Sequence, residues 1–203
     1  MSLIHEKKPG SLRYSIFNKK QETTMVLVHG LFTHEGYWLP YLTLLRDFRL
    51  ILVGIPYDSD EFDPHVVKAM LTELISKHSA EILVGHSLGS IVVRLVESDI
   101  KKVLICDVAK KQRVATSSLN ELIPNFDKIT EAQMKNSLVN AKHLLNNVVD
   151  CNADIIYTPS KDDLFTHSAD SNFDGTHFEI REAIFDLAAR LKKKVNFVKE
   201  PCS

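Results

Sequence analysis

The chain has 203 residues, of which 44% are hydrophobic and 25% are charged, so it is long enough to bury one substantial core. Its 25 basic and 26 acidic residues give a formal net charge of -1, which leaves no general electrostatic attraction to nucleic acid or to an anionic membrane. We therefore predict one globular domain over residues 1–203, with no nucleic-acid and no membrane partner.

The cysteines and the N-terminus indicate the compartment. Cys106, Cys151 and Cys202 are odd in number and lack C-x-x-C spacing, so we expect reduced thiols, without a disulfide framework or a structural zinc site. The N-terminus has no apolar signal-peptide region, and the longest apolar stretch, around Leu50–Ile55, is too short to span a bilayer. The expected location is the cytoplasm. The chain has no P-loop, G-x-G-x-x-G or H-E-x-x-H motif, so we expect no cofactor and no metal.

The first half of the chain alternates between two kinds of pattern. Leu12–Phe17 suits an antiparallel edge strand. Apolar, β-branched runs then predict buried strands at Met25–Val28, Leu50–Ile55, Ile82–Val84 and Val103–Ile105. Helical spacing occurs between them, at Tyr37–Arg46, Pro64–His78 and Ser90–Glu97. This alternation predicts the α/β class, with a mostly parallel central sheet and helices on both faces.

The second half begins with an insertion, residues 109–150, which we interpret as a small helical cap. A capping box at Thr130 and Gln133 starts its main helix, whose predicted apolar face is Met134, Leu138, Ala141, Leu145 and Val148. A strand follows at Ile155–Tyr157. The last predicted helix, Glu179–Lys193, has an inward face of Ile180, Ala183, Ile184, Leu187, Ala188 and Leu191.

The strongest chemical signal is a strand that runs into Gly85-His86-Ser87-Leu88-Gly89 and then into a helix. A serine at the apex of such a sharp turn has a strained backbone, and strand and helix can approach only if the residues two before and two after are nearly free of side chain. The turn raises the Ser87 hydroxyl near a helix N-terminus, so we predict Ser87 as the nucleophile. The alternative is a glycine turn with an incidental serine.

A second strand runs into His29-Gly30-Leu31-Phe32. The loop after this strand can direct the N–H of Leu31 towards the same point as the N–H of Leu88, and two such donors form an oxyanion hole. We expect His29 to be structural, because a histidine at the end of a buried strand usually satisfies local backbone groups.

The base and the acid are predicted from the C-terminal part. His177 stands in a short loop immediately before the last helix, and it follows the only G-x-S-x-G in the chain, so we predict it as the general base. A carboxylate in the turn after the 155–157 strand can hold the imidazole in the correct tautomer. We predict Asp162 as this acid, with Asp163 and Asp107 as alternatives.

These stretches resemble the α/β-hydrolase superfamily, in particular its small cap-bearing esterases, thioesterases and C–C hydrolases. The shared features are a His-Gly loop, a Gly-His-Ser-Leu-Gly elbow and a late Gly-x-His, and the resemblance covers about residues 25–192. It implies a triad of Ser87, Asp162 and His177, with the Leu31 and Leu88 amides as oxyanion donors.

Two departures from the family pattern lead to structural expectations. Only 15 residues separate Asp162 from His177, where the family usually fits a further helix and strand. The last strand should therefore be missing or reduced to a few residues near Asn172-Phe173. The insertion is also too short for a large lid, so the site should be fairly open.

Hydrolysis of an ester or thioester through an acyl-enzyme is the predicted activity. Phe32, Trp38 and Met134 are candidate contacts for an apolar acyl chain, although each residue type is also typical of packing. The basic cluster Lys110-Lys111-x-Arg113 suggests a substrate carried by an acidic acyl carrier protein. The alternatives are a non-catalytic binding module and a C–C hydrolase or lyase that uses the same residues.

Overall fold

One sheet runs through the computed structural model, which describes residues 12–108, 129–148, 152–160 and 171–198. Its strands, in chain order, are β1 (Arg13–Phe17), β2 (Thr24–Val28), β3 (Arg49–Gly54), β4 (Ile82–His86), β5 (Lys101–Ile105), β6 (Ile155–Pro159) and β7 (Ser171–Phe173). Their spatial order is β1-β3-β2-β4-β5-β6-β7.

The strand pairing confirms the predicted fold class. β1 pairs antiparallel with β3 at the edge, and all the other neighbours in the sheet are parallel. Every residue of β2 and of β4 is buried, as expected for central strands covered on both faces. The last strand has three residues, which confirms the expectation of a much reduced strand near Asn172-Phe173.

Helices cover both faces of the sheet. They are a 3₁₀ helix (Glu35–Tyr41), α1 (Pro64–Lys77), α2 (Leu88–Leu95), α3 (Glu131–Asn146) and α4 (Arg181–Val198). Alternate strand residues such as Val26 and Val28 pack with α1, α2 and α3, whereas Met25 and Leu27 pack on the opposite face with the 3₁₀ helix and α4. This division follows from the two-residue period of strand side chains.

The last helix has the predicted inward face. Ile180, Ala183, Ile184, Leu187, Ala188 and Leu191 are all buried. The helix begins at Arg181 and extends to Val198, beyond the predicted end at Lys193. Its packing against the sheet fixes the C-terminal end of the short segment between β7 and α4 that carries His177.

Two helix predictions need correction. Tyr37–Arg46 is a 3₁₀ helix over Glu35–Tyr41 followed by turns, because Pro40 lies inside it and has no N–H to donate to an α-helical turn. The helix predicted from Ser90 begins at Leu88, directly after the turn residue Ser87.

The capping box of α3 is confirmed, but its predicted apolar face is partly wrong. Thr130 accepts from the Gln133 backbone and Gln133 accepts from that of Thr130. Leu138 and Leu145, however, are 51% and 44% exposed. The buried positions of the helix are Ser137, Asn140, Ala141 and Leu144. The helix therefore presents a different face to the core than predicted. Hydrogen bonds explain this, because Asn140 Nδ2 donates to the carbonyl oxygens of Tyr57 and Ser59, both at 2.8 Å.

Several sequence predictions fall partly outside the described residues. The cap of residues 109–150 is described only over 129–148 within its length, so its boundaries and the single-domain organisation remain predictions. Cys106 is a buried thiol, while Cys151 and Cys202 lie outside the described ranges. Among the helices of those ranges, none combines the length and the apolar character needed to cross a membrane. The cytoplasmic location remains a prediction.

Candidate active site

Ser87 occupies a strained turn between β4 and α2. Its backbone has φ 53° and ψ -123°, in the left-handed half of conformational space that a residue with a side chain rarely adopts. Such a conformation costs on the order of 1–3 kcal/mol and persists only where the surroundings hold it. One stabilising contact is the hydrogen bond that the Ser87 N–H donates to the Ile105 carbonyl oxygen, at 2.9 Å. The hydroxyl is therefore fixed at the carboxyl end of the central strands.

Gly85 and Gly89 allow strand and helix to meet at this turn. A Cβ atom on Gly85 would lie 2.4 Å from the Gly89 carbonyl oxygen. A Cβ atom on Gly89 would lie 2.6 Å from the carbonyl oxygens of both Val28 and His29. Every one of these contacts is to backbone, which cannot give way as a flexible side chain can. The predicted steric reason for the G-x-S-x-G spacing therefore holds in the structure.

His177 lies directly beside the nucleophile. Its Nε2 is 2.8 Å from Ser87 Oγ, although the two residues are 90 apart in sequence. His177 is only 3% exposed, and it stands in the turn between β7 and α4. Gly175 makes this turn possible, since a Cβ atom there would lie 2.3 Å from the Glu179 carbonyl oxygen. With a neutral imidazole protonated on Nδ1, the Ser87 hydroxyl donates its proton to Nε2.

The loop predicted to supply one oxyanion donor packs against the elbow. A Cβ atom on Gly30 would lie 2.8 Å from Ser87 Cβ, so the backbone ahead of Leu31 is close to the nucleophile. Leu88 is the first residue of α2, where a helix N–H has no intrahelical acceptor. Both positions are compatible with donation to an oxyanion, and the donor roles of Leu31 and Leu88 remain predictions.

His29 has the bonding of a structural residue. Its Nδ1 donates to the Gly30 carbonyl at 2.8 Å, and its Nε2 accepts from the Ile55 N–H at 3.0 Å. Burial disfavours the charged imidazolium and lowers the pKa of His29 to about 4, against an ordinary value of 6.5. A neutral His29 thus ties the loop after β2 to the end of β3.

The acid of the triad is not located by the described residues. Asp162 and Asp163 both lie outside them, three and four positions after the end of β6. Asp107 is described, and its Oδ2 accepts from Arg94 Nη2 at 2.5 Å while its Oδ1 accepts from Ser90 Oγ at 2.7 Å. These contacts join Asp107 to α2. The choice of Asp162 stays a prediction, as do its alternatives.

The three predicted substrate contacts have different surroundings. Phe32 lines a cavity of about 680 Å³ between the loops after β2 and β3, and it has φ 58°. Met134 is half-buried on α3 and does not line this cavity, whereas its neighbours Gln133 and Ser137 do. Trp38 is fully buried on the face of the sheet that packs with the 3₁₀ helix and α4. It is packed as a core residue, which does not fit the expectation of a substrate contact.

The cavity lies next to the reacting pair rather than around it. Its wall includes His29, Tyr57 and Phe62, and its described lining contains neither Ser87 nor His177. The two features are joined through the loop His29–Phe32, since Gly30 touches Ser87 and Phe32 faces the cavity.

Sequence reasoning missed three residues that contact the segment of the base. His86 and Cys106 bond to the His177 carbonyl, and Tyr37 bonds to the Phe178 carbonyl. One signal was available for His86, because a histidine that ends an otherwise apolar strand needs a polar partner when it is buried.

Comparison with solved structures finds the same architecture. The chain is similar to a lipase-esterase related protein from Clostridium acetobutylicum ATCC 824, with a TM-score of 0.64 and 16% identity over 90% of this chain and 98% of the other. It is similar to the NocB thioesterase domain from the nocardicin cluster, with a TM-score of 0.63, 16% identity and the same two coverages. It is also similar to the N-acyl homoserine lactonase AidH, with a TM-score of 0.65 and 10% identity over 100% of this chain and 99% of that one.

The fold of the chain is that of the α/β-hydrolases. No family model and no curated protein matches the sequence. At identities this low, structural likeness shows the fold and leaves the activity to the site itself.

Proposed function

We propose that the protein is a serine hydrolase that cleaves a carboxylic ester or thioester through an acyl-enzyme on Ser87. The distance of 2.8 Å between Ser87 Oγ and His177 Nε2, at a strained turn at the carboxyl end of the sheet, carries this proposal. Three solved structures of the same fold are named as a lipase-esterase related protein, a thioesterase domain and a lactonase, and these names support the same class of reaction here.

The first half-reaction forms the acyl-enzyme. Ser87 Oγ attacks the carbonyl carbon while its proton moves to His177 Nε2. The negative oxygen of the tetrahedral intermediate accepts hydrogen bonds from the N–H groups of Leu31 and Leu88. His177 then gives its proton to the departing alcohol or thiol as the C–O or C–S bond breaks. Asp162 accepts from Nδ1–H and stabilises the imidazolium.

The second half-reaction releases the acid. A water molecule takes the position of the leaving group and transfers a proton to His177 Nε2 as its oxygen attacks the acyl carbon. Collapse of the second intermediate breaks the bond to Ser87 Oγ, which recovers the proton from His177. Ser87, His177 and the acid therefore end in their starting states.

The cavity favours a partly apolar substrate without negative charge, because its wall combines apolar side chains with carboxylates such as those of Asp58 and Glu61. Phe32, Phe62 and Val67 line it, and Phe32 belongs to the loop that touches the elbow.

Exposed carboxylates of Asp58, Asp60, Glu61 and Asp63 occupy the loop after β3. They would repel an acidic carrier protein that approached from this side. The basic cluster proposed to attract such a carrier, Lys110, Lys111 and Arg113, lies outside the described residues. We therefore place a free ester or thioester ahead of a carrier-bound one.

Turnover of a series of p-nitrophenyl esters and acyl thioesters tests the proposal. The wild-type protein should hydrolyse at least one short or medium acyl chain, and Ser87→Ala and His177→Gln should each lower kcat by on the order of 10⁴-fold or more. Ser76→Ala is the control, because it makes the same chemical change at an exposed position of α1, and its turnover should equal that of the wild type. Equal turnover by the wild type and Ser87→Ala would contradict the proposal and leave the binding module as the explanation.

A further inference from the structure

We propose that His86, aided by Cys106 and Tyr37, is a positioning residue that holds the catalytic base at its distance from the nucleophile. The inference rests on the proposed function of Ser87 and His177, and it assigns a task to three buried or half-buried polar groups that the acyl-transfer steps do not use. They act on the backbone of the His177–Phe178 segment.

His86 supplies the main contact. Its Nε2 lies 2.7 Å from the His177 carbonyl oxygen, so Nε2 carries the proton and donates. The His86 side chain is completely buried, where a hydrogen bond is not weakened by competing water. The ring also lies 5.3 Å from the ring of His177. His86 thus contacts the base through both backbone and ring.

Cys106 and Tyr37 extend the contact to two successive carbonyls. Cys106 Sγ donates to the His177 carbonyl oxygen at 3.5 Å, and Tyr37 Oη donates to that of Phe178 at 3.2 Å. The Tyr37 ring stacks on the His86 ring, with centroids 4.7 Å apart and planes inclined by 19°. The stack keeps the imidazole plane in the orientation that its bond to His177 requires.

This arrangement couples the two reacting residues. His86 is the sequence neighbour of Ser87, at the last position of β4 and in the fully buried centre of the sheet. Any shift of the His177 segment away from the elbow must break the bond to His86. The 2.8 Å distance between Ser87 Oγ and His177 Nε2 is therefore set from the nucleophile's own strand, and not only by the loop that carries the base.

Substitution at position 86 separates positioning from simple packing. His86→Phe keeps an aromatic ring for the stack with Tyr37 but removes the donor. His86→Gln can place an amide N–H the same number of bonds from Cβ as Nε2, so it restores donation. His78→Phe serves as the control, because the His78 ring also contacts a tyrosine, Tyr14, but lies at the end of α1.

We expect His86→Phe to lower kcat on the order of 100-fold, the cost typical of a misplaced catalytic group, with little change in KM. His86→Gln should recover most of this loss, and His78→Phe should leave kcat unchanged. A folded His86→Phe with wild-type kcat would overturn the proposal. So would a loss in His86→Gln as large as that in His86→Phe, because a donor would then not be what the position supplies.

Two further measurements keep the test decisive. If His86→Phe does not fold, Tyr37→Phe replaces it in the test, because it removes the hydroxyl that donates to the Phe178 carbonyl and keeps the ring. A several-fold lower kcat is expected for Tyr37→Phe. An unchanged kcat would overturn the proposal. If the wild-type protein hydrolyses no ester and no thioester, the proposed function fails on its own. The positioning role is then read from the ring resonances of His177 by NMR, which should be single and sharp in the wild type, broadened in His86→Phe and restored in His86→Gln. Unaltered resonances in His86→Phe would overturn it.

Discussion

A Cβ atom on Gly30 would lie 2.8 Å from the Cβ atom of Ser87, so the loop after β2 touches the nucleophile through the one residue type that has no side chain. Gly30→Ala should push this loop, and the Leu31 N–H with it, away from the oxyanion position. Loss of one oxyanion donor lowers kcat by about 10²–10³-fold, and we expect a fall in that range. Steady-state kinetics measure it, with the unfolding midpoint as the check on folding. A stable Gly30→Ala variant with unchanged kcat would show that this loop supplies no donor.

Single substitutions of the candidate acids should identify the third member of the triad. Asp162→Asn removes the carboxylate that we expect to orient His177, so kcat should fall by on the order of 10⁴-fold with little effect on folding. Asp163→Asn should leave kcat within a few-fold of the wild type.

Asp107→Asn needs a separate reading. It leaves the Arg94 guanidinium, whose side chain is 4% exposed, without its carboxylate, and breaking such a buried pair costs about 3–5 kcal/mol. A fall in kcat with Asp107→Asn therefore counts only if the variant is folded at the assay temperature. If Asp162→Asn and Asp163→Asn are both active and a folded Asp107→Asn is not, the assignment of Asp162 is wrong.

His29 should make stability depend on pH in a defined window. Burial lowers its pKa to about 4 in the folded protein, against 6.5 as its ordinary value. As the pH falls from about 6.5 to 4, the unfolded chain binds a proton first, so the folded state loses about 3 kcal/mol of relative stability. The unfolding free energies of the wild type and His29→Gln, measured in urea across this range, should converge by about that amount on acidification. A difference in unfolding free energy between the wild type and His29→Gln that does not vary with pH would show that the pKa of His29 is not lowered by folding.

Asn140 anchors α3 to the loop that borders the cavity. Its Nδ2 donates to the carbonyl oxygens of Tyr57 and Ser59. Asn140→Asp replaces this donor by a carboxylate that faces both oxygens, and we expect a loss of about 1–3 kcal/mol in unfolding free energy. Asn146→Asp makes the same chemical change at the exposed last residue of the same helix, where the helix dipole disfavours the new charge by about 0.3–1 kcal/mol, so it should cost less than Asn140→Asp. Equal effects of the two changes would mean that the amide contacts contribute nothing.

Sheet positions were predictable because each depends on a local pattern. Apolar runs such as Leu50–Ile55 are typical of strands that are covered on both faces, and β3 is such a strand, parallel to β2 and antiparallel to the edge strand β1. The elbow was predictable for the same kind of reason, since two glycines at fixed offsets from Ser87 have one steric use. The inward face of α4 was predictable from the helical spacing of its apolar residues, and every residue predicted to face inward is buried.

Features that depend on distant polar partners were not predictable. Which face of α3 is buried depends on the hydrogen bonds of Asn140 to carbonyl oxygens in the loop after β3. The sequence pattern of the helix alone does not show that these partners exist. Trp38 was predicted as a substrate contact from its position after the His-Gly loop. Its side chain instead fills the core between the sheet, the 3₁₀ helix and α4. The bond of His86 to His177 joins positions 91 residues apart and appears only once the sheet is assembled.

Labelling with a fluorophosphonate, followed by mass spectrometry of the intact protein and of its peptides, shows whether Ser87 is an activated nucleophile. A serine activated by an imidazole attacks the phosphorus atom and expels fluoride, which leaves one phosphonyl adduct. We predict one adduct per chain, on Ser87, which is absent from Ser87→Ala and formed far more slowly by His177→Gln. A wild-type protein that takes up no probe across the pH range in which it stays folded, or that carries the adduct at another residue, would rule out Ser87 as the nucleophile.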